Sequence, residues 1–328
     1  VDHEFSIIEL TDAGVPAVVE LCREALDLPE DAAEAGVIVA RLRDTDALPG
    51  ELADRRTIGL VAVSGSAVVG VALGSIAHGD PSIGHLDLVA VLSGWRRRGV
   101  GRALLVRAEG ALAALGAGEV LLAGNAPYYA WPGIDVRYTP AICAAMALGY
   151  EQDRTAWNMT ADLSYDSSPA VRSTEAAEKR LAAQGITVRR AGPDDIAAVV
   201  EFARINFGTA WGGEVAHSIG RAGAGCHLAI RETAPDRAST RDALGEPGEV
   251  LAFASYGSSR PSWFGPMGTA PTAQGLGIGG VLLLRCLRDQ RAAGHERAEI
   301  GWAGPVPFYA RNAGARIERV FFLFRKQL

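Results

Sequence analysis

The stretch His85-Leu-Asp-Leu-Val-Ala-Val91-Leu-Ser-Gly-Trp95-Arg96-Arg97-Arg98-Gly99-Val100-Gly101-Arg102-Ala-Leu-Leu105 decides the fold. An apolar strand runs into a turn of arginine and glycine, and a leucine-rich helix follows. Glycine admits positive φ and lets a ligand approach the backbone. The helix start presents amide groups without partners and the positive end of its dipole. Together these make an anion site, and the arginines add charge-assisted hydrogen bonds.

The same pattern returns as Thr269-Ala-Pro-Thr-Ala273-Gln274-Gly275-Leu276-Gly277-Ile278-Gly279-Gly280-Val-Leu-Leu283. Another pair repeats as well. Residues 5–26 (FSIIELTDAGVPAVVELCREAL) resemble residues 186–207 (ITVRRAGPDDIAAVVEFARINF). The offsets are 181 residues (5 to 186) and 178 residues (96 to 274). Two matches at nearly one offset mark a duplication. The expected division is a domain over 1–165, a partly helical linker over 166–185, and a domain over 186–328. The linker opens with Pro- and Ser-rich sequence and ends at Gly185.

Each copy reads as strand, helices, two strands, a strand into the glycine turn, a helix, a strand, a helix and closing strands. In the first copy the paired strands 57–64 and 67–77 turn at Gly65-Ser66. In the second, the strands 226–233 and 250–257 flank a polar insert, 234–249, which is expected to be mobile.

The chain has 328 residues, enough for two domains, and 48% of them are hydrophobic, enough for two cores. A net charge of −6 argues against nucleic acid as a partner. No apolar run approaches ~18 residues, so no membrane span is expected. The N-terminal stretch lacks the basic and apolar regions of a signal peptide. The expected location is therefore cytoplasmic. Cys22, Cys143, Cys226 and Cys286 lie far apart without metal-ligand spacing, so no metal is expected and all four read as buried thiols.

Arg96-x-x-Gly99-x-Gly101 and Gln274-x-x-Gly277-x-Gly279 resemble the Q/R-x-x-G-x-G/A motif of the GNAT acetyltransferases. The segments Val91–Trp95 and Thr269–Ala273 stand where that family reads Val-x-Pro-x-Tyr. The resemblance covers nearly the whole chain. With the loop 124–135 and Phe308–Ala315, it extends to bacterial tandem GNAT proteins of the kind found in the clavulanic acid gene cluster of an actinomycete. It implies an α/β (α+β) fold, in two tandem copies. Each would be a mixed, mostly antiparallel sheet flanked by helices and splayed at the fourth strand. It also implies acetyl-CoA, or another acyl-CoA, as cofactor. By that resemblance the backbones of Val89 and Val91, and of Met267 and Thr269, pair with the pantetheine. Arg96, Arg97, Arg98, Gly99, Val100, Gly101 and Arg102 hold one pyrophosphate. Gln274, Gly275, Leu276, Gly277, Ile278, Gly279 and Gly280 hold another.

Acyl transfer to an amine needs a proton acceptor for the amine and a donor for the departing thiolate. In many GNAT enzymes the donor is a tyrosine before a glycine in the last helix. Tyr309, in Phe308-Tyr309-Ala-Arg-Asn-Ala-Gly314, fits with a shift of one residue; an aromatic packed in a helix is the alternative. The first copy has Ala144-Ala145 there, and Tyr150 follows its glycine. Glu299 is the nearest candidate base of the second copy, with Tyr256 to orient a water. His85 and Asp87 are candidates in the first, and each also fits a structural role. The loop 127–133 is either a pocket wall or a lid, and Trp263 and Trp302 are read as core or pocket edge. The expected function is an N-acetyltransferase for a small-molecule amine, in secondary metabolism such as antibiotic biosynthesis. The second copy would do the chemistry and the first would bind cofactor. A catalytically silent acyl-CoA-binding protein is the alternative.

Overall fold

A computed structural model of the chain describes residues 4–45, 55–77, 79–232 and 248–328. The insert expected to be mobile lies almost wholly outside the described residues. Contacts divide the chain into two compact units: Val1–Trp157 with Arg319–Leu328, and Asn158–Glu318.

The first unit opens with β1 (Ser6–Glu9), followed by α1 (Val15–Ala25), α2 (Pro29–Ala33) and α3 (Ala35–Leu42). Then come β2 (Thr57–Ser64), β3 (Ala67–Ile76) and β4 (Ile83–Val91), each antiparallel to its neighbour. The turn between β2 and β3 needs Gly65, whose φ is +58°. α4 (Val100–Ala114) leads into β5 (Glu119–Leu122), which is parallel to β4. Short β6 (Ile134–Asp135) and α5 (Thr139–Ala147) follow. Strand alternation sorts the core. On β2, Leu60 and Ala62 face α4, while Val61 faces α1 and α3.

β7 (Glu151–Asp162) crosses the division between the units. In the second unit come α6 (Glu175–Ala182), β8 (Ile186–Arg190), α7 (Ile196–Phe207), α8 (Thr209–Ser218), β9 (Gly225–Arg231) and β10 (Glu249–Tyr256). They are followed by β11 (Trp263–Thr269), α9 (Ile278–Ala292), β12 (Arg297–Ile300), α10 (Val306–Ala313) and β13 (Arg316–Gln327). β8 to β11 form antiparallel neighbours, and β12 is parallel to β11. On β10, Ala252 and Ala254 face α9, while Phe253 faces α7 and α8.

The fold class read from the sequence holds. The expected division at 165 and 186 does not describe the compact units, because the closing strands are exchanged. β13, last in the second copy, pairs with β5 of the first unit through Phe324↔Leu122. β7, last in the first copy, pairs with β12 of the second unit through Met159↔Ile300. Periodicity identifies a strand but carries no record of which sheet it joins. The expected linker also belongs to a core: Ala170 and Leu181 are buried in the second unit.

Buried charge fixes the exchanged strand in the first unit. Arg319 donates to Asp135 at 2.8 Å and to both oxygens of Asp31 at 3.0 and 2.9 Å. All three side chains are nearly inaccessible. Arg137 also binds Asp135, and these hydrogen bonds hold the Asp135 carboxyl below its ordinary pKa against the effect of burial.

Among the described residues no helix is long and apolar enough to cross a membrane, and no cluster could hold a metal ion. All four cysteines are free; three are buried as expected, and Cys143 is exposed on α5.

Candidate functional site

β4 pairs with β5 only from Ile83↔Glu119 to His85↔Leu121. Beyond that point Val89 and Val91 keep β3 as partner and part from β5. β11 and β12 part in the same way after Phe264↔Ile300, ahead of Met267 and Thr269. Each freed strand leads into a turn of the same shape. Arg96 and Gln274 are extended; Arg97 and Gly275 have φ of 64° and 83°; Gly99 and Gly277 have φ of 85° and 84° and cap helices of 15 residues each. A Cβ placed on Gly99, Gly275 or Gly277 meets no atom within 4 Å. These glycines serve backbone conformation and leave the helix amides open. Such a turn suits a pyrophosphate.

The arginines of the first turn have different tasks. Arg96 folds back: Nε donates to Val91 O at 3.1 Å, Nη2 to Ala25 O at 2.8 Å, and the head pairs with Asp27. It ties the end of β4 to the end of α1, so its guanidinium is committed within the fold. Arg98 lies over the Trp95 ring and pairs with Glu4. Arg97 and Arg102 are exposed and, among the described residues, have no ion-pair partner. At the second turn, Gly280 lies against Asn312, which accepts from Arg172 at 3.4 Å. The sequence reading missed this cation because it comes from the segment read as linker.

Near the first opening lies a buried polar cluster. β4 carries one extra residue against β3: Leu88 faces Leu73, Leu86 faces Gly74, and Asp87 stands between as a bulge. The Asp87 side chain is 1% exposed. Its Oδ2 accepts from Ser75 at 2.6 Å and lies 3.7 Å from Arg55, while Oδ1 has no partner among the described residues. Asn125 donates to Ser75 at 2.8 Å, and Arg55 lies over the Tyr128 ring. Burial pushes the Asp87 carboxyl up to about 6, against the opposing pull of Arg55 and Ser75. His85 is bound through Nδ1 to Ala123 O, and burial keeps its pKa below the ordinary value. The aromatic loop 127–133 packs here within the first unit, with Tyr128 buried.

Residues 24–130, which hold the first turn and this cluster, match the acetyltransferase (GNAT) family. The chain carries a GNAT acetyltransferase domain. No curated protein matches the sequence. Solved structures share the fold along the full chain. A GCN5-related glucosamine N-acetyltransferase region of a fungal multi-domain GH3 β-N-acetylglucosaminidase has a TM-score of 0.72 at 17% identity; 98% of this chain covers 38% of that one. This chain thus spans well under half of the fungal protein. A tandem GNAT protein from the clavulanic acid biosynthesis pathway has a TM-score of 0.66 at 18% identity, with 98% of both chains covered. A GCN5-related N-acetyltransferase from Sphaerobacter thermophilus has a TM-score of 0.61 at 17% identity, covering 100% of this chain and 96% of that one. These likenesses extend the GNAT fold to the second unit.

In the second unit Tyr309 is 6% exposed and packs edge-on against Phe264 and Phe308. Its hydroxyl forms no hydrogen bond among the described residues, and burial pushes its pKa up to about 12. It shares the α9 side of the sheet with Ala298 and Ile300. Glu299, between those two, points to the other face. The structure therefore does not bring Tyr309 and Glu299 together. Asn158 instead binds Glu299 at 2.5 Å and accepts from the Trp302 amide at 2.7 Å. Trp302 has a φ of 47° and is exposed beyond the end of β12, whereas Trp263 is buried. Tyr256 donates to Asp289. Tyr150 is buried in the first core. The residue matching Asp87 at the second bulge is Gly265 (87 + 178).

Proposed function

We propose that the protein is an acyl-CoA-dependent N-acyltransferase acting on a small-molecule amine, with transfer in the first GNAT unit and Asp87 as proton acceptor. The observation that carries this reading is the Asp87 bulge: a buried carboxyl beside the strand opening, with one unpartnered oxygen and a pKa near 6. A base tuned near working pH is what amine deprotonation needs. This moves the expected seat of chemistry from the second copy to the first.

The residues present suit acyl-CoA. The turn 96–102 offers open amides with Arg97 and Arg102, and the freed edge of β4 offers Val89 and Val91 to the pantetheine. The bound thioester supplies an activated acyl carbonyl and a thiolate leaving group. Asp87 takes the amine proton, and Ser75 with Asn125 holds the carboxylate in place. Arg55 keeps it ionised against burial. Acetyl is the acyl group proposed first, and a cytoplasmic setting follows from the cofactor. The likeness to a clavulanic acid pathway protein supports a place in secondary metabolism.

The test is thiol release from acetyl-CoA over an amine panel, with wild type and Asp87→Asn. Loss of release in the variant, with cofactor still bound, supports the reading. Unchanged release removes Asp87 from it. A silent acyl-CoA-binding protein would bind cofactor and release no thiol with any amine. Transfer in the second unit is favoured by Tyr309, which packs against Phe264 and Phe308 in the core that also holds Ile278.

A further inference from the structure

A cavity of about 500 Å³ lies within the second unit, between the start of α6, one face of α9 and His227 of β9. Its size falls among small-molecule pockets, roughly 300–1,000 Å³. α9 contributes Arg285, Arg288, Asp289 and Ala292, whose spacing sets them on one helix face. Ser173 and Thr174 border the cavity from the segment that leads into α6. The glycine turn is remote: Arg288 stands 11 residues (288 − 277) from Gly277, ~16 Å along the helix.

The charges around the cavity are only partly matched by one another. Arg285 forks onto Glu178 at 2.9 and 2.5 Å, and Glu175 pairs with Lys179 in solvent. Arg288 is exposed and has no ion-pair partner among the described residues. Asp289 accepts from His227 Nε2 at 2.9 Å, from Arg190 at 2.7 Å and from Tyr256 at 3.3 Å, and all three donors meet Oδ2. Its Oδ1 has no hydrogen bond among the described residues. Burial works to raise the Asp289 pKa, but the His227 hydrogen bond and the charge of Arg190 outweigh it and hold it below its ordinary value. The His227 side chain is 5% exposed. With Nε2 donating to Asp289, its Nδ1 carries a lone pair that has no partner. A buried polar atom left unpaired is costly, and its presence asks for a reason.

The fold does not require this set. The duplication matches Arg190 to Glu9 (190 − 181), and the cross-strand partners of these two are His227 and Leu60. On the helix, Arg288 and Asp289 match Gly110 (288 − 178) and Ala111 (289 − 178). The first unit builds the same layers with leucine, glycine and alanine where the second carries an imidazole, a guanidinium and a carboxylate.

We propose that this cavity binds a free α-amino acid. The ligand carboxylate meets Arg288 and the Ser173 hydroxyl, which accepts from the Glu175 amide at 3.3 Å and keeps its own proton to donate. It also lies at the positive end of α6, where the N-cap Thr174 makes no capping bond. The ligand ammonium donates to Asp289 Oδ1 and His227 Nδ1. A simple anion would leave those two acceptors unmatched, and a simple amine would leave Arg288 unmatched. Ala292 is the one apolar residue lining the cavity among those described, so a polar ligand side chain is favoured. No group assigned to acyl transfer in the first unit takes part.

The experiment titrates the full chain with each of the common α-amino acids by calorimetry, and repeats any binder as its N-acetyl and methyl ester forms and against sodium phosphate. The expected result is binding of at least one polar amino acid, with loss of binding in both blocked forms and none for phosphate. Arg288→Ala, at an exposed position outside any ion pair, should weaken binding about 10- to 100-fold with an unchanged Tm. Asp289→Asn should weaken it as much, and Arg288→Lys should retain part of it. No binding by any amino acid overturns the proposal. Equal binding of a blocked form or of phosphate overturns the zwitterion assignment and the proposal with it. Binding indifferent to Arg288→Ala places the amino acid elsewhere, in the acceptor site of the first unit, and also overturns it. Thiol release is not a readout here, so failure of the acyltransferase reading and failure of this one are told apart.

Discussion

The Ser75 hydroxyl donates a 2.6 Å hydrogen bond to Oδ2 of Asp87 and receives one from Asn125 at 2.8 Å. The serine thus aims one carboxylate oxygen and leaves the other unpartnered. Ser75→Ala should lower kcat more than KM and shift the acidic limb of the pH–rate profile upward, because one hydrogen bond favouring the ionised form is lost. A pH profile with an unmoved limb would separate Ser75 from the chemistry.

Two buried carboxyls, Asp87 on β4 and Glu214 on α8, make stability depend on pH. Both have folded pKa values above their unfolded ones. The stability they contribute is complete below the unfolded values, and it is lost as pH rises through about 6 for Asp87 and about 8 for Glu214. For Glu214 the rise from 4.5 to about 8 corresponds to a loss on the order of 5 kcal/mol. Glu214→Gln should therefore raise the urea midpoint at pH 9 and leave it nearly unchanged at pH 4. Denaturation curves at the two pH values give the answer directly; equal effects at both would contradict the assignment.

Gly99 and Gly277 separate the two turns proposed to hold coenzyme A. An alanine at either position meets no atom within 4 Å but must adopt φ near 85°. The cost is about 1–2 kcal/mol of backbone strain, relieved by relaxing the turn. Each single variant should bind one coenzyme A fewer than wild type in native mass spectra, with a Tm lowered by a few degrees. Two molecules bound to both variants would show that neither turn holds the pyrophosphate.

Arg319 stands between Asp31 and Asp135 with all three buried. Arg319→Ala leaves uncompensated charge inside the first unit and should cost about 3–5 kcal/mol. Arg319→Lys should recover little of that, since one ammonium cannot reproduce the forked contacts. Calorimetry of both variants, against Arg325→Ala on the exposed part of the same strand, tests the ranking.

What could be read from the sequence was what local pattern encodes. The Gly99 and Gly277 turns, the strands leading to them and the duplication all depend on spacing and φ. Asp87 was visible as an acid on a strand, yet its tuning depends on Arg55 and Asn125, which lie far away in sequence. Glu214 drew no reading from the sequence, since its burial is set by packing and not by local pattern. Arg172 was hidden in a segment whose composition read as linker. The pairing of Tyr309 with Glu299 failed on strand alternation: with Ala298 and Ile300 facing the core, Glu299 had to face away.

The exchange of β7 and β13 bears on how the protein is made. A nascent chain ordinarily completes its N-terminal domain first. Here residues 158–318 contain everything the second unit needs, while the first waits for residues 319–328. The later-encoded unit is thus the earlier one able to close. Until synthesis passes β13, the first unit presents β5 with an unfilled edge, a surface that chaperones and stray strands both recognise. Two domains built this way can only be inherited together. Splitting the gene at the repeat boundary would give each half the other's final strand.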